Sequence, residues 1–123
     1  MIIPTMGCLH EGHISLIKNS VDKCDFTVVS IFVNPTQFSP NEDFDSYPRC
    51  IESDKQILKS ACIDILFNPN QKDLYPEKFQ TFVTVEDKTK YLCGTSRPQF
   101  FRGVTTIVLK LINITNPHIA YFG

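Results

Sequence analysis

Two histidines in a glycine-containing turn are the residues of this sequence whose types and spacing could do chemistry. His10 and His13 lie in residues 4–13, where an apolar strand end gives way to a segment with helical apolar spacing. A strand that enters a helix through glycine exposes backbone N–H groups and the positive end of the helix dipole. Because two imidazoles add donors at the same point, the segment predicts a nucleotide-phosphate site.

The same two histidines have other interpretations. Their spacing suits two zinc ligands, although no third ligand and no cysteine pair lies near them in the sequence. In a purely structural role, one imidazole caps the turn and the other faces solvent. From the residues alone, phosphate binding and the structural role both stay open.

Length and composition limit the class of protein. A chain of 123 residues predicts one domain with its own core. Hydrophobic residues make up 42% and charged residues 20%, which is typical of neither a disordered nor a membrane-spanning chain. A net charge of −1 without a basic block argues against nucleic acid as a partner. No leader and no apolar run of about 18 residues is present, so we expect no membrane association.

The cysteines are odd in number and widely spaced, without a Cys-x-x-Cys pair. This arrangement predicts free thiols in a reducing cytoplasm rather than disulfides or a zinc site. The thiol of Cys8, close to a helix N-terminus, is expected to be acidified. The five are Cys8, Cys24, Cys50, Cys62 and Cys93.

The hydrophobic pattern predicts alternating strands and helices. Strands are predicted at 1–4, 26–33, 63–67, 82–85 and 118–122, helices at 13–24, about 50–61 and 104–114, loops at 34–49 and 70–81, and a short helical turn at 92–94. Residues 104–114 are also β-branched enough for a strand, but their apolar positions follow a helical stripe.

Such alternation predicts an α/β fold, a parallel sheet with helices on both faces and right-handed crossovers. Ligands of these sheets gather beyond the carboxyl ends of the strands. We therefore expect residues 4–7, 34–37 and 122–123 to converge. The chain stops directly after its last predicted strand, so we interpret residues 1–123 as a domain truncated at its C-terminus.

The segment His-x-Gly-His after a first strand resembles the motif of the HIGH-motif nucleotidyltransferase superfamily. Three more segments are similar to the pantothenate synthetase (pantoate–β-alanine ligase) family: Pro-Thr-Met-Gly at 4–7, Ser-Ile-Phe-Val-Asn-Pro-Thr-Gln-Phe at 30–38 and Arg-Gly-Val-Thr at 102–105. The resemblance covers nearly the whole chain and implies a Rossmann-like ATP- and pantoate-binding domain.

By this resemblance, the activity is an ATP-dependent ligation. Pantoate joins the α-phosphate of ATP and pyrophosphate leaves, then the β-alanine amine displaces AMP to give pantothenate. The first step builds negative charge on phosphoryl oxygens, so catalysis consists of positioning and electrostatic stabilisation. The resemblance also implies Mg²⁺, for which no ligand is identifiable here, and a cytoplasmic homodimer.

The resemblance assigns roles residue by residue. His10 and His13 are implied to be catalytic and to bind the ATP phosphates, with His13 as proton donor. The implied ATP loop is Met6, Gly7, Cys8, Leu9, His10, Glu11, Gly12 and His13, and Gly123 opens a second ATP segment. Gln37 is implied to bind pantoate and then β-alanine, and Pro4, Met6 and Phe122 to form an apolar wall, although each also suits a loop or core position.

Other polar residues have more ordinary interpretations. Asn34 is expected to structure its turn, and Glu52 and Asp54 to favour a helix dipole rather than to bind magnesium. Arg97 and Arg102 could meet phosphate or pin a loop to a carboxylate. Because Gln99-Phe100 replaces the Gly-His common in the family, we assign Arg97 no catalytic role.

Family members continue beyond Phe-Gly with further cationic segments and a lid domain. Since these are missing, we expect the fragment to be inactive alone. Two alternatives are another nucleotidyltransferase of the superfamily and a non-catalytic nucleotide-binding or dimerisation module. The setting of Gln37 argues against the first, and the intact His-x-Gly-His argues against the second.

Overall fold

A computed structural model describes residues 1–87, 97 and 99–123, which divide into two compact units. The first unit comprises Met1–Val33, Pro48–Pro69 and Thr115–Gly123, and the second comprises Asn34–Tyr47 and Asn70–Ile114. Each unit is described by itself. The prediction of one truncated ATP- and pantoate-binding domain stays a prediction.

The first unit contains a three-stranded parallel sheet. Its strands, in spatial and sequence order, are β1 (Ile2–Thr5), β2 (Val28–Ile31) and β3 (Ile65–Phe67). Helix α1 (Glu11–Lys23) lies between β1 and β2 in the sequence, and α2 (Ile51–Ser60) precedes β3. A parallel sheet whose strands alternate with helices confirms the predicted α/β fold class.

One face of this sheet carries the core of the first unit. Ile3 pairs with Val29, and Ile31 follows two residues later, so the three side chains point to the same face. Ile17 of α1 and Leu58 of α2 complete the cluster, and none of the five is more than 5% exposed. This packing holds both helices against the sheet. It thereby fixes the end points of the loops that connect the helices to the strands.

The second unit is built around one long helix. A 3-10 turn (Pro35–Gln37) and a single helical turn, α3 (Gln71–Leu74), precede α4 (Phe100–Thr115). In α4 the buried residues are Gly103, Thr106, Ile107 and Leu111. Their spacing is that of one helical face, which confirms the choice of helix over strand for residues 104–114.

Two predictions in this unit are wrong for identifiable reasons. Val83 lies in no strand, because its N–H donates to Thr106 Oγ1 at 3.0 Å and its carbonyl accepts from Thr105 Oγ1 at 2.6 Å. Hydroxyls of α4 thus replace a strand ladder. The predicted loop 70–81 contains α3, which Asn70 and Asp73 cap reciprocally.

The last predicted strand is reduced to one bridge in the first unit. Ala120 pairs in parallel with Ile2, whose N–H donates to the Ile119 carbonyl and whose carbonyl accepts from Tyr121, each at 3.0 Å. The helical turn predicted at 92–94 lies outside the described residues. Within the part of the chain that the structure describes, no helix is long and apolar enough to cross a membrane.

Candidate active site

The loop between β1 and α1 makes a turn that requires glycine. Gly7 has a φ of 88°, and a Cβ there would lie 3.1 Å from Asp54 Oδ2 and 3.2 Å from Ile31 Cγ2. Its N–H donates to Thr5 Oγ1 at 3.2 Å, and that hydroxyl donates to the Ser30 carbonyl at 2.8 Å. The positive φ therefore makes any other residue strained at this position, and the tight contacts add to that cost.

A buried carboxylate from α2 holds the same loop. Asp54 Oδ2 accepts the N–H of Cys8 and Oδ1 accepts the N–H of Leu9, each at 2.8 Å, and Asp54 is only 1% exposed. Asp54 lies in the first turn of α2 as expected, and its oxygens also hold two loop amides, which the sequence did not predict. Glu52, by contrast, is exposed and pairs with Lys55 at 2.9 Å.

The two histidines cap α1 reciprocally. His10 is the N-cap residue, and its Nδ1 accepts the N–H of Gly12 at 3.1 Å. The Nδ1 of His13 accepts the N–H of His10 at 3.3 Å, and the two ring centroids are 4.2 Å apart. The structural alternative, in which only one imidazole caps the turn, is replaced by an arrangement in which both do so.

This capping determines where each imidazole carries its proton. A ring nitrogen that accepts a hydrogen bond has no hydrogen of its own, so the neutral ring is protonated at the other nitrogen. With both Nδ1 atoms accepting, His10 and His13 each retain an Nε2–H. The capping contacts therefore leave two N–H donors on the loop, which is the chemistry that a phosphate site needs.

The pKa of His13 lies below the ordinary value of 6.5. Partial burial is the largest cause, the neighbouring His10 lowers the pKa further, and the Asp54 carboxylate opposes both. This lowering favours the neutral form of the His13 ring. Among the described residues, no group of three or more His, Cys, Asp or Glu side chains could hold a metal ion.

The remaining predicted site residues of the first unit lie in β1, in the loop after it, at the start of α1 and after the C-terminal bridge. Pro4 and Met6 are partly buried and Glu11 is exposed. Phe122 follows this bridge by two residues and is 57% exposed. A Cβ on Gly123 would lie 3.0 Å from Leu16 Cδ1 of α1.

Gln37 lies in the second unit, where Asn34 fixes its amide. Asn34 is 1% exposed, and its Oδ1 accepts from the N–H and Oγ1 of Thr36 at 3.3 and 2.9 Å. Its Nδ2 donates to Gln37 Oε1 at 2.9 Å and to the Gly103 carbonyl at 3.1 Å. Asn34 thus structures the turn as predicted, and it engages the carbonyl end of the Gln37 amide, so that the NH₂ end is the better placed to bind a ligand.

Of the two arginines, Arg97 takes the alternative in which a loop is pinned to a carboxylate. Arg97 Nη1 lies 3.0 Å from Glu42 Oε1, and its guanidinium stacks 4.2 Å above the ring of Phe100. Arg102 lies 3.8 Å above the Phe82 ring. Phe100, which departs from the common family residue, therefore supplies an aromatic face to a cation.

Cys8 and Cys50 form a disulfide with their Cα atoms 5.1 Å apart, which overturns the prediction of free thiols for these two residues. The prediction of an acidified Cys8 thiol is wrong for the same reason. Their separation of 42 residues conceals the pairing, because only the folded loop brings them together. Cys24 and Cys62 are free as predicted, and Cys93 lies outside the described residues.

The geometry has close counterparts among known proteins. The profile of the family described as Pantoate-beta-alanine ligase matches residues 1–123. The chain is 58% identical over 122 residues to the pantothenate synthetase of Acetivibrio thermocellus, covering 99% of this chain and 43% of the relative. It is 54% identical over 121 residues to that of Thermotoga petrophila, covering 98% and 43%.

Solved structures agree with these sequence matches. Pantothenate synthetase from Thermus thermophilus superposes with a TM-score of 0.96 at 46% identity, over 99% of this chain and 45% of that one. Pantoate-beta-alanine ligase from Francisella tularensis, complexed with beta-gamma ATP and beta-alanine, gives 0.92 at 48% identity, over 98% and 46%. The chain therefore spans less than half the length of these relatives.

Reduction of the Cys8–Cys50 disulfide should lower the free energy of unfolding by about 2–4 kcal/mol, because the bond closes a long loop in the unfolded chain. Urea unfolding with and without reductant measures this difference. A variant that carries Cys24→Ser, Cys62→Ser and Cys93→Ser should keep the full effect, whereas Cys8→Ser with Cys50→Ser should abolish it. Equal stability of the oxidised and reduced forms would contradict the prediction.

The lowered pKa of His13 makes stability depend on pH in one direction. Below about pH 6.5 the unfolded chain binds more protons at this position than the folded chain, so stability falls as the pH drops toward the folded pKa. In His13→Gln this part of the slope should disappear. Urea unfolding from pH 7 to 5 and an NMR titration of the ring test it, and a His13 midpoint at or above 6.5 would refute it.

Proposed function

The chain belongs to the pantoate–β-alanine ligase family, and we propose that the protein it represents uses ATP to join pantoate and β-alanine through a pantoyl-adenylate. The observation that supports this proposal most directly is in the β1–α1 loop, where the capping of α1 leaves an Nε2–H on each of His10 and His13. Family membership gives no support to another nucleotidyltransferase. The Francisella enzyme is complexed with beta-gamma ATP and beta-alanine, which supports the same substrates here.

The loop is suited to the first step, in which a pantoate carboxylate oxygen attacks the α-phosphorus and pyrophosphate leaves. Charge then grows on the α-phosphoryl oxygens, and preorganised N–H donors stabilise it most where water is excluded. The pKa of His13 is lowered, which favours the neutral ring. We therefore propose that His13 donates a hydrogen bond through Nε2 rather than acting as a charged imidazolium acid. We propose that His10 also contacts the phosphates and that the rest of the Met6–His13 loop, whose Cys8 and Leu9 amides are held by Asp54, surrounds them.

Gln37 is suited to recognition of a hydroxy acid. Its carbonyl oxygen accepts from Asn34 Nδ2, so its NH₂ group is the end that faces a ligand oxygen. We propose that this group binds pantoate and later helps to hold β-alanine, while Pro4, Met6 and Phe122 contact the gem-dimethyl group. The amide adds no charge, which keeps the pantoate carboxylate free to react.

Mg²⁺ would accompany ATP rather than occupy a resident protein site. Asp54, the buried carboxylate beside the loop, is engaged by two backbone N–H groups, and among the described residues no cluster of three or more His, Cys, Asp or Glu side chains surrounds a possible metal position. The protein residues described here therefore act through hydrogen bonds to the nucleotide. Gly123 would be the first residue of a second phosphate-binding segment.

We also propose that the enzyme is cytoplasmic.

The function is tested in the full-length protein, which should release AMP only when pantoate, β-alanine and ATP are all present. His13→Ala should lower the single-turnover rate of pyrophosphate release about 10²–10³-fold, the usual effect of removing one preorganised donor. ATP affinity should change much less. His118→Ala, at an exposed histidine without a proposed role, is the matched control.

Residues 1–123 alone should give no AMP above background, because the cationic segments that family members supply later in the chain are missing. A His13→Ala enzyme that melts early but forms adenylate at the normal rate would remove His13 from the mechanism. Turnover by the fragment would show that those segments are dispensable.

We also propose that the protein is a homodimer. Apolar side chains are exposed in the first unit, including Phe26 at 49% and Ile65 at 46%, and exposed apolar surface favours association. Sedimentation of the full-length protein should show a dimer at micromolar concentration. A clean monomer there would contradict the proposal.

A further inference from the structure

Asp54 is a carboxylate at a position where α2 otherwise buries apolar side chains. Ile51, Asp54 and Leu58 follow one helical stripe, and Asp54 and Leu58 are 1% and 2% exposed. Burying an unpaired carboxylate is strongly unfavourable, whereas an apolar residue of similar volume needs no partner. The presence of the carboxylate is therefore explained by what its oxygens hold.

Those oxygens hold two successive backbone N–H groups, of Cys8 and Leu9. A single hydrogen bond would let the loop rotate about it, but two bonds to adjacent peptides fix the orientation of the loop backbone. Cys8 has a φ of 50°, a conformation that is uncommon for a residue other than glycine and that needs favourable contacts. Asp54 supplies that favourable contact.

The two residues held by Asp54, Cys8 and Leu9, directly precede the histidine pair. Leu9 precedes His10, which is the N-cap of α1 and donates its N–H to His13 Nδ1. A shift of the loop would move that N–H and with it the ring of His13. Because α2 packs against the sheet through Leu58, the carboxylate fixes the histidines relative to the core.

From this geometry we infer that Asp54 is a positioning residue for adenylate formation, acting through the loop backbone on His13. The inference rests on the proposed function and deepens it, since it assigns to α2 the alignment of a donor carried by α1. A displacement of about 1 Å at a reacting group can cost about 10²-fold in rate. Loss of Asp54 can therefore slow adenylate formation even without a contact between Asp54 and the nucleotide.

The test uses the full-length protein and Asp54→Asn, which keeps the shape but replaces one acceptor oxygen by an NH₂ that faces a backbone donor. Single-turnover pyrophosphate release should slow by about 10–100-fold, with a change in ATP dissociation constant below about tenfold. Val29→Ala is the control for lost stability, because Val29 is buried in the core on β2. At a temperature where every variant is folded, Val29→Ala should react at the wild-type rate.

A double-mutant cycle separates positioning from stability. If Asp54 acts through His13, Asp54→Asn should slow an enzyme that already carries His13→Ala by less than about threefold. Equal fold-losses in both backgrounds would overturn the inference. Asp54→Glu, which keeps both oxygens but moves them by one methylene, is carried through the same cycle in case Asp54→Asn does not fold, and all variants are compared in one disulfide state.

The outcomes for the two proposals are distinct. A wild-type enzyme without pantoate-dependent pyrophosphate release would defeat the proposed function and this inference together. An active wild type with normal rates in Asp54→Asn or Asp54→Glu would defeat the inference alone. An active wild type with non-additive losses at Asp54 and His13 supports both.

Discussion

The hydrogen bonds from Cys8 and Leu9 to the Asp54 carboxylate are the interaction on which the candidate site depends. They join an irregular loop to a helix that is itself packed on the sheet. Gly7 and Thr5 shape the turn before this point, and the histidine cap continues it into α1. Removing the carboxylate would leave two loop amides without their acceptors beside a conformation with positive φ.

Capping and phosphate binding use different atoms of the same histidines. Stability of the α1 N-terminus comes from the Nδ1 atoms, whereas the proposed chemistry uses the Nε2–H groups. Substitution of either histidine therefore alters both a helix cap and a donor. This is why rates and melting have to be measured together, and why glutamine, which can cap or donate but does not titrate, is an informative replacement at His13.

The sequence predicted elements well where hydrophobic periodicity was strong and poorly where side chains replaced backbone partners. The stripe through Ile107 and Leu111 identified α4 correctly. Val83 has strand-forming neighbours but bonds to hydroxyls of α4, which no local pattern reveals. Near the C-terminus, where a whole strand was predicted, the described residues form an isolated bridge between Ala120 and Ile2.

In the candidate site, family motifs identified the histidine loop, but the contacts that hold it are non-local. Cys8 and Cys50 are 42 residues apart, so their spacing could not predict a disulfide. For Asp54 a signal was present, because it shares a helical face with Ile51 and Leu58, and a carboxylate on an apolar face requires partners. The helix-dipole interpretation took account of its place in the first turn and ignored its place on the stripe.

The negative charge of Asp54 bears on why a phosphate site tolerates a carboxylate close by. An exposed carboxylate would repel ATP, but this one is buried and both oxygens accept N–H groups, so much of its field is compensated locally. Its residual effect is seen at His13, whose pKa it raises against the larger lowering by burial. The donors of the loop are thereby divided: the amides of Cys8 and Leu9 bind the Asp54 carboxylate, and the imidazole Nε2–H groups are the donors that the proposed function assigns to the nucleotide. An amide side chain at position 54 could accept only one of the two bonds, and an apolar side chain could accept neither. The carboxylate is thus the side chain that can fix this loop from a buried position, and its distance from the chemistry does not lessen that requirement.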